Sequence, residues 1–224
     1  MKVAIMQPYF FPYQGYFNLI NSVDLFVIYD DVNYIKRGWV NRNYILLNGQ
    51  KKMITIPLVD LSQNKYINSI QVGQSRSKLI KLTYHAYCKA RYFKDIFPII
   101  ECAMNYDESN LASYLTRQLK LISNYLGINT RFILSSEIEK DNNIRGAEKI
   151  ISICNKLGAD TYLNLPGGIN LYENSDFLAN NIELKFVSHE PRKYFQLSDE
   201  WHPNLSIIDL IMNVKKSDLP SYII

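Results

Sequence analysis

Residues 2–29 read KVAIMQPYFFPYQGYFNLINSVDLFVIY, and this stretch decides the fold class. The apolar run at residues 2–6 predicts a buried strand, residues 15–22 predict a short helix, and residues 24–29 predict a second buried strand. Strands that are apolar along their whole length are typical of parallel sheets covered by helices on both faces. The stretch therefore predicts a βαβ unit and an α/β fold.

A change of pattern follows the first two strands. Residues 39–47 and 51–56 flank Asn48-Gly49, a pair that readily adopts positive φ, and this arrangement predicts an antiparallel hairpin. Residues 75–126 then show mainly helical patterns, which predicts a helical insertion between the early strands and the later ones.

Within the insertion, we expect Ser75 to be an N-cap and Pro98 to break the helical pattern. The second half of the chain reads as repeated αβ units. We therefore predict an α/β fold with a mainly parallel sheet, flanking helices, an early antiparallel hairpin and a helical insertion, and we interpret residues 1–224 as a single domain. The later predicted elements are strands at 131–134, 161–163 and 183–187, and a helix over 144–157.

Charge and hydropathy exclude several classes of function. The formal net charge is +4, and the basic residues are scattered along the chain. Nucleic-acid-binding domains concentrate basic residues on one face, so this pattern predicts no nucleic acid partner. No apolar run approaches the ~18 residues of a membrane span, and the N-terminus lacks a signal-peptide pattern. We expect a cytoplasmic protein without a membrane span.

The cysteines and histidines form no recognisable metal motif. Three cysteines that are odd in number and widely spaced predict buried thiols in a reducing compartment, not a disulfide framework or a catalytic nucleophile. The three histidines, which include His85 and His189, show neither HxH nor HExxH spacing, so we predict no bound metal. His189 precedes a loop at a strand end, where acid–base chemistry is plausible, whereas a helical His85 is commonly a packing residue. Both are candidate catalytic residues.

Four unusual loops follow the predicted parallel strands. They span residues 7–15, 30–38, 165–170 and 188–201. Ligands of open parallel sheets bind beyond the carboxyl ends of the strands, where such loops and the N-termini of the following helices meet. The coincidence predicts a ligand site at this edge of the sheet.

The first of these loops combines prolines, aromatic rings and a glycine. Prolines lower the entropy of the free loop, and glycine permits a close approach of the backbone to a ligand. The loop is thus a candidate wall of a ligand crevice, although rings and prolines could equally plug the end of the sheet. The candidate substrate-binding residues here are Gln7, Pro8, Tyr9, Tyr13, Gly15 and Tyr16.

The second loop brings charged residues together. Asp30 and Asp31 could orient a hydroxyl, bind a metal or act as a general base, or they could form a turn with a solvated ion pair. Arg42 lies in the middle of a predicted half-buried strand and therefore needs a carboxylate or phosphate partner, for which the two aspartates are candidates. The other candidate binding residues of this region are Lys36, Trp39, Asn41 and Asn43, and a later glycine turn adds Gly167 and Gly168.

The run MQPYFFPYQGYFNLINSVDLFVIYDDVNYIKRGWVNRNYI at residues 6–45 resembles the WbqC-like family of bacterial polysaccharide and O-antigen biosynthesis. Similarity continues through SICNKLGADTYLN at residues 152–164 and PNLSIIDLIMN at residues 203–213. Two departures are a tyrosine at position 13, where the family pattern has tryptophan, and Asn164-Leu165-Pro166 before the glycine turn. The resemblance adds Tyr172, Tyr194 and Gln196 to the candidate binding residues.

The resemblance implies a polysaccharide pathway, and two hypotheses follow from it. The first is a cytoplasmic enzyme that acts on a nucleotide-linked sugar, by acyl or aminoacyl transfer to an amino sugar. It would hold no tightly bound cofactor and would use an acyl donor or ATP as co-substrate. The second is a noncatalytic sugar-nucleotide-binding or scaffold protein that works with other pathway enzymes. The opening strand, loop, helix and strand also resemble nucleotide-binding folds of the HIGH type, which makes an ATP-dependent ligase or nucleotidyltransferase a further alternative.

Overall fold

A computed structural model describes residues 1–141, 143–188 and 190–223. Strands β1 to β9 cover Lys2–Met6, Leu25–Ile28, Arg42–Leu47, Gln50–Thr55, Leu58–Val59, Gln71–Val72, Arg131–Leu134, Thr161–Asn164 and Glu183–Phe186. Helices α1 to α7 cover Gln14–Asn21, Ser77–Tyr87, Phe93–Asn105, Leu111–Tyr125, Gly146–Leu157, Asn174–Leu178 and Ile207–Asn213. Short 3-10 helices cover Ile67–Ser69, Ser135–Glu137, Pro166–Leu171 and Lys216–Ser221.

The central sheet has five parallel strands in the order β7-β2-β1-β8-β9. From β1 the chain builds outward through β2 to β7, and it then crosses back to place β8 on the other side of β1. The point between β1 and β8 is therefore the topological switch point of the sheet, as in doubly wound nucleotide-binding folds. This architecture confirms the predicted α/β class and the mainly parallel sheet.

Both faces of this sheet are covered, because successive residues of each strand point to opposite sides. Val3 and Ile5 pack with residues of α5 and α6 in one apolar cluster. Ala4 and Phe26 pack on the other side, in a larger cluster that includes residues of α1, α4 and α7. Burial of both sets of side chains explains why β1 and β2 are apolar along their whole length.

The hairpin and the helical insertion were located correctly, but their details differ from expectation. Asn48 and Gly49 have φ of +52° and +76° and join β3 to β4. Pro98 lies inside α3 and does not break it, because Ile96 and Ile100 are fully buried on either side and packing outweighs one lost backbone hydrogen bond. The expected N-cap at Ser75 is wrong, since Arg76 precedes the first turn of α2.

The loop after β1 is held inside the core by three polar side chains. Phe10 and Phe11 are completely buried, and Phe11 has φ of +38°. Asn43 donates to the carbonyl oxygens of Phe10 at 3.1 Å and Phe11 at 2.7 Å, Gln118 accepts from the Phe11 N–H at 2.8 Å, and Ser206 donates to the Phe11 oxygen at 2.9 Å. The two phenylalanine rings therefore plug the end of the sheet.

Replacing Asn43 by alanine should lower the free energy of unfolding by about 2–4 kcal/mol, because two buried carbonyl groups lose their donor. Urea titration followed by circular dichroism measures the change. Asn105→Ala, at an exposed position at the end of α3, is the matched control and should shift stability by less than about 0.5 kcal/mol. Equal stability of the Asn43 variant and the control would show that these bonds do not hold the loop.

Candidate functional site

A cleft of about 200 Å³ opens beyond the carboxyl end of β2, beside the start of α5. Tyr29 and Asp31 reach it from the end of β2, Tyr66 from the segment before β6, and Arg145 and Lys149 from the start of α5. Most of the wall of this cleft comes from residues outside the four predicted loops, and the ligand site expected at this edge of the sheet stays a prediction.

A buried cluster of three charges lies beside the cleft: Asp31 and Lys149 line it, and Lys140 lines the adjoining depression. The Lys140 and Lys149 ammonium groups lie 2.9 Å and 3.2 Å from the Asp31 carboxylate. The side chains of Lys140, Lys149 and Asp31 are only 2%, 8% and 10% exposed. Two cations share one anion in a place that water reaches poorly, so the cluster carries a net positive charge that favours an anionic ligand.

The protonation of Asp31 follows from its neighbours. Burial alone would raise the pKa of its carboxyl group, but the hydrogen bond from Lys140 and the charges of both lysines lower the pKa below its ordinary value. Asp31 is therefore ionised at neutral pH and is a poor proton acceptor. Its role in the cluster is to position the lysines, which replaces the predicted role of general base.

The two lysines differ in their freedom to meet a ligand. Lys140 also donates to the carbonyl oxygens of Ser135 and Ile138, so its three protons are occupied. Lys149 has Asp31 as its hydrogen-bond partner, through the main-chain oxygen and the carboxylate at 3.2 Å each, and it lines the cleft. The Lys149 ammonium also lies 5.3 Å from the centre of the Tyr29 ring, so its remaining proton points to a weak partner that a ligand phosphate could replace.

The first turn of α5 adds a second feature that suits an anion. Arg145 is the N-cap residue, Gly146 begins the helix with φ of +59°, and both residues line the cleft. The unpaired N–H groups and the dipole of a helix N-terminus attract phosphate and carboxylate groups. Here the helix end lies beside the buried Lys149.

Tyr66 is the central aromatic residue of this region. Its side chain is 46% exposed and lines the cleft together with two adjoining depressions of about 500 Å³ and 420 Å³. Lys65 and Arg145 flank it in the second of these depressions. An exposed ring beside cations can stack on a planar group whose phosphates reach the cleft.

Asp30, a predicted catalytic residue, is part of the scaffold. It is 1% exposed, and its carboxylate accepts hydrogen bonds from the Ser136 N–H at 2.9 Å, the Ser136 hydroxyl at 2.7 Å and the Asn68 amide at 3.1 Å. These bonds tie the end of β2 to the segment after β7 and shape the cleft. The carboxylate has no free face for a substrate.

Arg42 does not have the carboxylate partner that its position suggested. Its guanidinium donates to the carbonyl oxygens of Gly38, at 2.9 Å, and Arg37, and it lies 6.0 Å from the centre of the Trp39 ring. The expected pairing of Arg42 with Asp30 or Asp31 is therefore wrong, because the turn before β3 supplies main-chain acceptors. Lys36 and Trp39 are exposed on the same turn.

The two asparagines of this motif point inward. Asn41 accepts a hydrogen bond from the Tyr34 hydroxyl at 2.7 Å and donates to the Ile56 carbonyl oxygen at 3.1 Å, and Asn43 holds the first loop as described above. Both are buried. The structure thus gives Asn41 and Asn43 scaffold roles in place of the predicted contacts with a substrate.

Most predicted residues of the first loop also belong to the core. Pro8, Gly15 and Tyr16 are buried, and Tyr9 and Tyr13 are half-buried. Gln7 follows the last residue of β1 and does not line the cleft, and its carbonyl oxygen accepts a hydrogen bond from the Tyr16 hydroxyl at 2.7 Å. The start of α1 is covered by a β-bridge between Tyr13 and Ser206.

The glycine turn after β8 is packed too closely to be an open phosphate site. A Cβ on Gly168 would lie 2.4 Å from Nδ2 of Asn164, whereas Gly167 has open space around it. Tyr172, just beyond the turn, packs edge-on against Tyr162 with ring centres 5.8 Å apart. Gly168 and Tyr172 therefore support the end of β8.

Two further predicted residues lie in a buried network around α7. Asp209 is completely buried and accepts hydrogen bonds of 2.9 Å from the hydroxyl groups of Tyr87 and Tyr194. Burial raises the pKa of Asp209 to about 6, although the hydrogen bonds from both tyrosines oppose the shift. Gln196 is buried nearby and makes two hydrogen bonds to the main chain of His202. Neither Tyr194 nor Gln196 lines the cleft.

His85, one of the two predicted catalytic histidines, does not line the cleft. His85 is exposed on α2, where its ring contacts the edge of Tyr84. His189 lies outside the described residues. Among the described residues, no group of three or more histidine, cysteine, aspartate or glutamate side chains could hold a metal ion. In the same part of the chain, no helix has the length and apolarity needed to cross a bilayer.

Sequence reasoning missed three main residues of the cleft, namely Tyr66, Arg145 and Lys149. It also missed Lys140, which pairs with Asp31 beside the cleft. Tyr29 was treated only as the end of a strand. One available signal was the Arg145-Gly146 pair at the start of a helix that follows a parallel strand. Lys149 gave no signal, because a lysine within an amphipathic helix is normally solvated.

These features define an open-sheet α/β protein with a cationic, partly aromatic cleft beyond the carboxyl ends of its strands. The WbqC-like protein family matches residues 7–220, and the chain belongs to this family. It is 30% identical over 230 residues to the uncharacterized protein Rv1507c of Mycobacterium tuberculosis, a match that covers 99% of this chain and 97% of that protein. No solved structure matches the chain.

The Asp209 network predicts a specific dependence of stability on pH. The folded-state pKa of about 6 lies above the ordinary value of 3.8, so the folded protein binds the extra proton between these values. Stability from this group is therefore fully present below pH ~4 and is lost as pH rises through ~6, by roughly 3 kcal/mol in total. In Asp209→Asn this loss should be absent.

Urea unfolding at several pH values between ~4 and ~7 tests this expectation. As the pH rises across this interval, the free energy of unfolding of the natural protein should fall relative to that of Asp209→Asn. Asp107→Asn, at an exposed position, controls for the loss of one carboxylate. Parallel stability curves for the natural protein and Asp209→Asn would contradict the raised pKa.

Proposed function

We propose that the cleft binds the phosphate groups of a nucleotide-linked sugar. On this proposal the protein is a cytoplasmic enzyme of bacterial surface-polysaccharide biosynthesis that transfers an acyl or aminoacyl group to an amino sugar. The observation that carries the binding proposal is the buried group of two lysines and one aspartate, whose net positive charge lies beside the N-terminus of α5. The family resemblance supports the pathway.

The cleft offers complementary groups for the parts of such a ligand. Lys149, Arg145 and the first N–H groups of α5 suit a diphosphate. The exposed Tyr66 ring suits the base or the sugar, which both present flat surfaces. Burial and the nearby charge of Asp31 raise the pKa of Tyr29, so its hydroxyl stays protonated at neutral pH and can donate to a ligand oxygen.

The groups of the cleft favour direct transfer over a covalent enzyme intermediate. Among the described residues, no cysteine lines the cleft. Cys88 and Cys102 are exposed elsewhere, contrary to the expectation of buried thiols, and burial raises the pKa of Cys154 to about 12. In direct transfer the amine nitrogen of the sugar attacks the acyl carbon, the bond to the leaving group breaks, and the amine proton leaves with that group. Lys149 and Tyr29 would stabilise developing negative charge, and His189 remains the candidate for moving the proton.

One observation favours the noncatalytic alternative. Among the described residues that line the cleft, the one carboxylate is Asp31, which is held in its ionised form by two lysines. Such a site can bind a sugar nucleotide without catalysing proton transfer. The HIGH-type ligase alternative gains less support, because Tyr13 and Ser206 cover the start of α1, where those folds hold phosphates.

Thermal-shift measurements against nucleotide sugars, ATP, acyl-CoA and amino acids test the proposal. A nucleotide sugar should raise the melting temperature, because a ligand of the folded state stabilises it. Lys149→Gln should weaken the binding by about tenfold or more, because one ionic contact to phosphate is lost. Lys156→Gln, on the exposed part of the same helix, should bind like the natural protein.

The same measurements distinguish the proposed enzyme from the two alternative functions. Binding of a nucleotide sugar without any turnover in the presence of acyl donors would support the noncatalytic protein. A shift with ATP alone would support the ligase. Absence of any shift, or equal shifts in Lys149→Gln and the natural protein, would contradict the proposed cleft.

A further inference from the structure

Strand β7 is an edge of the central sheet, and within residues 1–141, 143–188 and 190–223 one side of its backbone has no neighbouring strand. In a parallel ladder, the N–H and C=O groups of one residue point to the same neighbouring strand. Just after β2, the Tyr29 N–H donates to the Met6 oxygen at 2.9 Å, so the backbone groups of odd-numbered residues point towards β1. The backbone groups of Phe26 and Ile28 therefore point towards β7. Because these two residues lie opposite Phe132 and Leu134, the backbone groups of Phe132 and Leu134 point away from the sheet. These groups are available to another strand.

Glu137 supports this orientation of the edge. Its carboxylate accepts from the Leu134 N–H at 3.4 Å, a long contact from a side chain that is only three residues away. It occupies the place where the carbonyl oxygen of an added strand would lie. A carbonyl oxygen of the added strand could accept the Leu134 N–H at a shorter distance than Glu137 does. The Glu137 carboxylate, which is exposed, would then be solvated instead.

A groove of about 350 Å³ runs along this edge, between β7 and α4. Phe132 and Leu134 form its apolar floor and are half-buried. Arg117 and Lys120 of α4 are exposed at its rim, and Glu137 also lines it, so the groove carries an excess of positive charge. An open backbone edge, an apolar floor and a basic rim therefore lie together.

We propose that this groove binds an extended, acidic peptide segment of a partner protein, which pairs with β7 as an additional strand. Alternate side chains of such a segment would cover Phe132 and Leu134, while its acidic side chains would meet Arg117 and Lys120. The Arg117 guanidinium lies 3.5 Å from the centre of the Tyr106 ring, which holds it in place at the rim. The surface is separate from the cleft and does not depend on its ligand.

A second copy of the chain is a poorer occupant of this edge. Antiparallel pairing of two β7 strands about a twofold axis would place the two α4 helices side by side over the joined sheet. Lys120 and Arg117 of one copy would then approach the same residues of the other, and like charges in contact repel. The basic rim therefore favours an acidic partner.

The probe for this proposal is a short fluorescein-labelled peptide that alternates glutamate with valine. Fluorescence anisotropy should show binding to the full-length protein, and Arg117→Glu with Lys120→Glu should weaken it by about tenfold. The control, Lys78→Glu with Lys81→Glu, makes the same change of charge at exposed positions on α2 and should leave the affinity unchanged. A peptide that alternates lysine with valine should not bind.

Two further measurements separate strand pairing from simple charge attraction. Methylation of the backbone nitrogens on the side of the peptide that faces β7 should abolish binding with its charge intact. Hydrogen exchange at the Phe132 and Leu134 amides should slow by about tenfold or more when the unmodified peptide binds.

Several results would overturn the proposal. The proposal fails if the methylated peptide binds as tightly as the unmodified one. It also fails if the Arg117 and Lys120 variant binds the peptide as tightly as the natural protein, or if the glutamate peptide causes no change in anisotropy. A dimer seen by sedimentation that disappears in the same variant would show that a second copy occupies the edge.

Discussion

The ion cluster formed by Asp31, Lys140 and Lys149 is the interaction on which the candidate site depends. Lys140 joins the end of β2 to the segment after β7, and Lys149 joins it to α5. Removal of Asp31 would leave two buried ammonium groups without a counter-ion, which is far more costly than losing an exposed ion pair. One carboxylate thus fixes the elements that surround the cleft, while the excess positive charge remains for a ligand.

The sequence contains enough information for the fold because the informative signals are local. Apolar runs in β1 and β2, the Asn48-Gly49 turn and the amphipathic pattern of α4 each depend on neighbouring residues. Pro98 shows where local reasoning fails, since burial of the residues around it keeps α3 intact. The small strands β5 and β6 were also not predicted, because two-residue strands carry no periodicity.

The candidate site was predicted less well because its residues come together only through tertiary contacts. The cleft lies at the edge of the sheet where the site was expected, and Asp31, one of the expected residues, lines it. Asn41, Asn43 and Arg42, however, bind the protein's own main chain. Polar residues in an aromatic motif can form hydrogen bonds with a buried loop or with a ligand, and their spacing in the sequence does not distinguish the two roles.

The most direct test of the account is a crystal structure of the protein soaked with a nucleotide-linked amino sugar. The account predicts phosphate density within hydrogen-bonding distance of the Lys149 ammonium and the first N–H groups of α5, with a flat part of the ligand against Tyr66. Density at the glycine turn after β8 or at the start of α1, with the Lys149 cleft left empty, would contradict it.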